Sequence, residues 1–119
     1  TDKVFGISNA FRAQWLRVCC TIDKQKYLPE LIDMTTPSFE FRSRINAFNA
    51  LKTLNYLDDK VIASLLDAVC SWNGRLKGPA ADVLNYFNEQ TQYKNMIRAY
   101  YKSHHWTDVE EGLMKPYMK

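Results

Sequence analysis

Two cations lie in a segment that has the residues of a tight turn. The stretch SWNGRLKGPAADVLNYF, residues 71–87, places Arg75 and Lys77 between an Asn-Gly pair and a Gly-Pro pair. Turn geometry calls for Asn, Gly and Pro, but it does not call for two cations between them. A guanidinium holds a carboxylate bidentately, and the predicted helix start just beyond adds its positive dipole end. Arg75 and Lys77 are therefore a candidate carboxylate or phosphate site, the alternative being solvated loop charges.

Aromatic side chains supply a second set of candidates. Most of them fall on apolar helix faces and are predicted to belong to the core. A phenol on a helix face has an apolar body and a polar tip, which suits a partner surface. On that ground the candidate partner-facing residues are Tyr86, Tyr93, Tyr100 and Tyr101.

The sequence lacks the motifs of the common catalytic sites. H-E-x-x-H, G-x-S-x-G, the P-loop and G-x-G-x-x-G are all missing. His104 and His105 are adjacent, so on a helix they diverge and are predicted to be surface residues rather than joint metal ligands. The three cysteines, Cys19, Cys20 and Cys70, are an odd count without metal-ligand spacing and are predicted to be buried reduced thiols. We therefore predict no catalytic residue and no metal or other cofactor in this chain.

Length and charge narrow the class of protein. A chain of 119 residues is long enough for one core, so residues 1–119 are predicted to form a single domain. Its net charge of +3 is spread along the chain without a basic stripe, which argues against a nucleic-acid partner. No apolar run reaches the length of a membrane span, and a soluble protein is expected, with the compartment, cytoplasmic or periplasmic, left open.

Apolar residues recur at helical spacing along almost the whole chain, and strand-like alternation is missing. An all-α protein with six helices and a short seventh is predicted. One face of the first helix is expected to form core through these residues: Phe11, Trp15, Leu16, Val18 and Cys19.

Several residues are predicted to start or stop helices. Ser38 and Asp58 or Asp59 are the expected N-caps of the third and fourth helices, and Thr107 has capping-box spacing to Glu110. The fourth helix is expected to end at Asn73-Gly74, with the glycine in the left-handed conformation. Pro79 suits the first position of the fifth helix, and Thr91 is expected to open the sixth.

Related residues recur at offsets of about one helix pair. Phe11 and Trp15 lie 30 residues before Phe41 and Ile45, and Val61 lies 35 residues before Met96. A drifting period of this size is typical of stacked helix pairs with variable turns. The predicted architecture is a right-handed α-α superhelix of about three stacked helical hairpins, of the HEAT or armadillo type. An unrelated helical bundle is the alternative, because any two amphipathic helices align at some offset.

Two stretches resemble a known family. FRAQWLRVC, residues 11–19, resembles a helix in the C-terminal helical domain of zinc aminopeptidases of the alanyl aminopeptidase and leukotriene hydrolase family, and GRLK, residues 74–77, resembles a basic turn of that domain. Similarity extends in patches to the helix that bears Tyr93, while residues 38–72 stand as an additional helix pair relative to the leukotriene hydrolase pattern. The resemblance implies that Arg75 and Lys77 face the cleft and recognise a substrate carboxylate.

The resemblance also implies a function. The chain would be a noncatalytic C-terminal fragment of a longer zinc aminopeptidase, closing the active-site cleft against the catalytic domain of the same parent chain and binding peptide substrate. The zinc ligands would belong to another domain, so this fragment alone is expected to have no activity. The alternative is a HEAT-type scaffold that binds a partner protein through one helix of each pair, with the four tyrosines as anchors.

Overall fold

A computed structural model describes the backbone of residues 2–119 and the side chains from residue 11 onward. The described residues form seven α-helices and no strand, which confirms the all-α class. The helices are α1 Asp2–Cys20, α2 Lys24–Asp33, α3 Phe41–Leu54, α4 Asp59–Val69, α5 Gly74–Asn88, α6 Thr91–Ser103 and α7 Asp108–Met114, followed by a 3-10 helix, Lys115–Tyr117. The chain divides into two compact units, Thr1–Tyr56 and Leu57–Lys119.

The first unit consists of α1, α2 and α3. α1 packs against both α2 and α3, and Leu16, Leu31 and Phe48 are fully buried. The buried Arg44 donates from Nε to the carbonyl oxygen of the buried Thr35 at 2.8 Å. A buried guanidinium without a partner would be costly, so this bond stabilises the fold. It also links α3 to the segment that follows α2.

The face of α1 that is buried differs from the predicted one. Leu16 and Cys19 are buried as expected, but Phe11, Trp15 and Val18 remain 70%, 55% and 48% exposed. The buried face is instead completed by Ala13 and Cys20. The prediction was wrong for the three larger residues because α1 has two apolar faces, and only packing against α2 and α3 decides which one is covered.

The second unit consists of α4 to α7 and the 3-10 helix. α4 packs against α5 and α6, and its large apolar residues are buried: Val61, Ile62, Leu65, Leu66 and Val69. Leu65, Leu84, Phe87 and Ile97 are fully buried, so these three helices share their apolar faces. The Nδ2 of Asn88 donates to the carbonyl oxygen of Tyr117 at 3.1 Å and holds the C-terminal segment on α5.

The helix caps bear out some predictions and correct another. Asp58 caps α4 by accepting from the Val61 N–H at 2.9 Å, and Thr107 and Glu110 form the predicted capping box of α7. α3 is not capped by Ser38: Glu40 is its N-cap, and the Glu40 carboxylate accepts from the N–H of Ser43. The carboxylate of Glu40 reaches the N–H groups of the first turn, which have no partner within the helix. That turn lies too far along the chain for a cap at position 38.

Candidate functional site

The start of α5 holds the two cations, and it is a helix rather than a turn. The Asn73 side-chain oxygen accepts from the Arg75 N–H at 3.0 Å. The backbone carbonyl oxygen of Asn73 accepts from the Lys77 N–H at 2.9 Å. α5 therefore begins at Gly74, and among the described residues no glycine has a positive φ. The predicted left-handed turn at Gly74 was wrong, and Pro79 lies inside α5 instead of opening it.

The two cations of this site differ in their surroundings. Arg75 is exposed and Lys77 is half-buried, and the buried Leu76 lies between them. Positions two apart on a helix do not face each other, so Arg75 and Lys77 flank α5 on two sides. A ligand carboxylate would accordingly meet the Arg75 guanidinium directly, with Lys77 adding positive potential from the side.

The Cys70 thiol is influenced by the charges of Lys77 and of two carboxylates. Burial raises the pKa of Cys70, the charges of Glu110 and Asp67 raise it further, and Lys77 lowers it by less. The Cys70 thiol lies 4.0 Å from the carbonyl oxygen of Glu110. The thiol therefore stays protonated at neutral pH. Cys19 and Cys20 are buried as predicted, whereas Cys70 is only half-buried.

Among the side chains that the structure describes, no carboxylate pairs with the cations at the start of α5. Its first turn contains no acidic residue, and across residues 11–119 neither Arg75 nor Lys77 forms an ion pair. The four N-terminal N–H groups of a helix carry a partial positive charge that favours anions. The site thus combines a helix dipole with two cations and a neutral asparagine cap.

Trp72 is a residue of this site that sequence reasoning missed. It directly precedes the Asn73 cap and is 98% exposed. A fully exposed indole beside a cationic helix end gives an apolar surface next to the candidate anion site. The available signal was a tryptophan among turn-forming residues, outside every apolar helix face.

The four candidate tyrosines belong to two different clusters, and all four are half-buried. Tyr86 and Tyr93 both make edge contacts with the buried Phe87, at ring-centroid distances of 5.3 Å each. Tyr100 and Tyr101 lie at the other end of α6. The structure therefore separates the predicted set into a pair around Phe87 and a pair near the end of α6.

An aromatic cluster surrounds the C-terminal end of α6. Tyr100 stacks on the exposed His104 at 3.9 Å, and Tyr101 stacks on Trp106 at 6.0 Å. Trp106 donates from Nε1 to the carbonyl oxygen of Tyr101 at 2.8 Å, which satisfies one of the last carbonyls of the helix. Burial and the charge of Asp59 raise the pKa of Tyr100, so its phenol is neutral at physiological pH.

A polar cleft adjoins this cluster. It has a volume of about 390 Å³ and is lined by Tyr101, Asp108, Glu111, Gly112 and Lys115. Charges of both signs lie in it, so it has no clear preference for anions or cations. The described residues contain no group of three or more His, Cys, Asp or Glu that could hold a metal ion.

Comparisons with known proteins add no identification. The chain matches no protein family model, no curated protein and no solved structure. Within the part of the chain that the structure describes, no helix has the length and apolar character to cross a membrane.

Proposed function

We propose that the chain is the noncatalytic C-terminal helical domain of a zinc aminopeptidase, and that it binds the C-terminal carboxylate of a peptide at the start of α5. The observation that carries the proposal is the cationic, uncompensated N-terminus of α5, with Arg75 exposed and no acidic residue in the first turn. The resemblance of residues 11–19 and 74–77 to that family is the basis for proposing a zinc aminopeptidase as the parent enzyme. Zinc belongs to the parent's catalytic domain in this proposal.

The proposal includes the stacking of helix pairs. Short turns join α1 to α2 and α5 to α6, and the helices of each pair pack together as helical hairpins do. The offsets of 30 to 35 residues between equivalent apolar positions support a right-handed HEAT or armadillo stack. In the parent enzyme this stack would close the cleft and leave room for short peptides.

The carboxylate site is tested by NMR titration of the chain with a blocked tripeptide that has a free C-terminal carboxylate, and with its C-terminal amide. Arg75→Gln is expected to weaken binding of the acid by about tenfold, because a charge-assisted hydrogen bond is lost. Binding of the amide should not change. Equal effects on both peptides would exclude the carboxylate role.

Lys60 provides a matched control for this experiment. It is exposed and lies at the second position of α4, as Arg75 does in α5, but Asp58 and Asp59 precede it. Lys60→Gln should leave the affinity for the acid unchanged. A loss equal to that of Arg75→Gln would mean that net charge, and not the start of α5, attracts the peptide.

Sequencing the gene upstream of the codon for Thr1 tests whether the parent chain is a zinc aminopeptidase. An in-frame H-E-x-x-H motif encoded upstream of Thr1 is expected, since that motif supplies two zinc ligands and a general base. In that full-length enzyme, Arg75→Ala should lower kcat/KM for peptides with free C-termini more than for amidated ones. A stop codon directly upstream would contradict the parent assignment.

A HEAT-type scaffold is the second candidate function. The aromatic cluster at the end of α6 favours it, because stacked Tyr101 and Trp106 present a rigid, half-buried surface of the kind that anchors partners. Recovery of a stoichiometric protein partner that is lost on Tyr101→Ala, from a parent chain without peptidase activity, would favour the scaffold over the peptidase domain.

A further inference from the structure

A polar cleft lies between α1 and α3, within the first unit. Its volume of about 330 Å³ is at the lower end of the range for small-molecule sites. Its lining comes from both helices: Gln14, Arg17, Asn46, Asn49, Ala50 and Thr53. The residues from each helix are three, four or seven positions apart, so they share one face of that helix. All but the alanine are polar, and the cleft therefore suits a polar ligand.

The Arg17 guanidinium is the charged group of this cleft. Arg17 is half-buried, and within residues 11–119 it forms no ion pair. Residues 11–56 contain four carboxylates, none of which lines the cleft: Asp23, Glu30, Asp33 and Glu40. Asp23 and Glu40 are bound as helix caps, and Glu30 is paired with Arg12 at 3.3 Å. The lining thus leaves Arg17 available to the anion of a ligand.

Three carboxamides share the cleft with the guanidinium. Across residues 11–119 the side-chain amides of Gln14, Asn46 and Asn49 bond no other residue. The Thr53 hydroxyl donates to the backbone carbonyl oxygen of Asn49 at 3.0 Å, so its own oxygen remains an acceptor. A carboxamide offers two donors and one acceptor, which matches a ligand hydroxyl, since a hydroxyl both donates and accepts.

From this set of groups we propose that the cleft binds a sugar acid, a small polyhydroxylated carboxylate. The carboxylate pairs with Arg17 through two parallel hydrogen bonds, and the hydroxyls bond the three carboxamides. One cation matches one negative charge, so a doubly charged ligand would leave a charge unbalanced. The cleft belongs to the first unit and α5 to the second, and the inference does not rest on the peptide site at the start of α5.

The test is an NMR titration of the full chain with three probes. D-glucuronate has both the carboxylate and the hydroxyls, D-glucose lacks the carboxylate, and hexanoate lacks the hydroxyls. Glucuronate should bind at least about tenfold more tightly than either, because each of the others loses the hydrogen bonds of one part of the cleft. Absence of glucuronate binding, or equal affinity for glucuronate and one of the other probes, would overturn the proposal.

Substitution of the guanidinium locates the carboxylate. Arg17→Gln should lose at least about tenfold in affinity for glucuronate and leave that for glucose unchanged, with circular dichroism to check the fold. Arg42→Gln is the matched control, because Arg42 is an exposed arginine of α3 that does not line the cleft. Equal losses in the two variants would mean that net charge attracts the probe, and retained binding by Arg17→Gln would show that the cleft is not the site.

Substitution of the carboxamides tests recognition of the hydroxyls. Asn46→Ala/Asn49→Ala keeps Arg17 and favours the helix, since alanine is the better helix former. Its affinity for glucuronate should fall at least about tenfold, towards that for hexanoate, which should not change. Unchanged glucuronate binding would exclude a sugar acid as the ligand.

One further variant separates this cleft from the start of α5. Arg75→Gln should leave the affinity for glucuronate unchanged, whatever it does to the binding of peptides. A loss as large as that of Arg17→Gln would place the probe at α5 and would overturn the assignment to the cleft.

Discussion

The N-termini of α4 and α5 are built in opposite ways. α4 starts with Asp58 as its cap and Asp59 in its first turn, so two carboxylates of the chain face the positive end of the helix dipole. α5 starts with the neutral Asn73, followed by Arg75 and Lys77 without any acid. Both ends satisfy their first N–H groups by a side-chain cap, but only α4 also compensates the dipole charge.

The difference shows that the start of a helix can have either of two roles, stabilising the helix or presenting positive potential to an external anion. A carboxylate cap stabilises the helix by hydrogen bonding and by charge together, and α3 uses the same arrangement through Glu40. An amide cap with cations beside it keeps the hydrogen bond but leaves positive potential for an external anion. By this comparison the start of α4 stabilises its helix by charge as well as by hydrogen bonding, whereas the start of α5 leaves its positive dipole charge without an acidic residue in the first turn.

The largest effect is expected at the cap of α4. Asp58→Ala leaves the Val61 N–H without its acceptor and removes one compensating charge. We expect the free energy of unfolding to fall by about 1 kcal/mol, measured by urea denaturation. Asp82→Ala, an exposed residue in the middle of α5, is the control and should change it by less than about 0.5 kcal/mol. A loss at position 58 no larger than this would contradict the stabilising role of the carboxylate cap.

The cap of α4 was predictable because its signal is local. Asp58 stands directly before an apolar helical pattern, and Thr107 and Glu110 stand at capping-box spacing, so neighbouring residues alone decide. Ser38 ranks high as a cap by residue type, but the helix begins later at Phe41, where the longer Glu40 side chain folds back onto the first turn. The position of the first turn, and not residue type alone, decides which residue caps α3.

The start of α5 was not predictable from the same kind of signal. Asn-Gly suits both a left-handed helix end and an N-cap followed by a helical glycine. What decides is tertiary: Leu76 is 3% exposed, and its burial is achieved with residues 74–88 helical. Arg75 and Lys77 were recognised from their residue types, but their placement on two sides of a helix required the structure.

The buried face of α1 could not be predicted from the sequence for the same reason, since tertiary packing decides it. Helical periodicity predicted an apolar face that contained both Trp15 and Leu16. The structure buries Leu16 and leaves Trp15 more than half exposed. Periodicity identifies apolar faces, but it does not say which of two faces the chain's own helices cover.

A smaller and pH-dependent effect is expected at the cap of α3. Burial alone would raise the pKa of Glu40, but bonds from the Ser43 hydroxyl at 2.7 Å and from the N–H groups of Ser43 and Arg42 outweigh it, and the pKa is lowered. Glu40→Gln keeps an acceptor and removes the charge. At pH 7 the variant should be less stable by about 0.7 kcal/mol.

The sign of the pH dependence follows from the lowered pKa. The carboxylate stabilises the folded state above its ordinary value of 4.5, and that stability is lost as the pH falls through the lower pKa of the folded state. Urea denaturation of Glu40→Gln and of the unmodified chain at pH 7 and near pH 3 should therefore converge at the acid end. A difference that stays constant over this range would mean that shape, and not charge, makes Glu40 a good cap.

The smallest effect on stability is expected from a substitution that makes the start of α5 resemble that of α4, and it should be an increase. Asn73→Asp keeps the acceptor for the Arg75 N–H and adds a charge at the positive end of the helix. The free energy of unfolding should rise by about 0.3 kcal/mol. The same carboxylate competes with a ligand for Arg75, so affinity for the free-acid peptide should fall severalfold while affinity for the amide is kept. Added stability with unchanged peptide affinity would show that the open dipole of α5 is not what attracts the carboxylate, because the compensated helix would then bind as well as the uncompensated one.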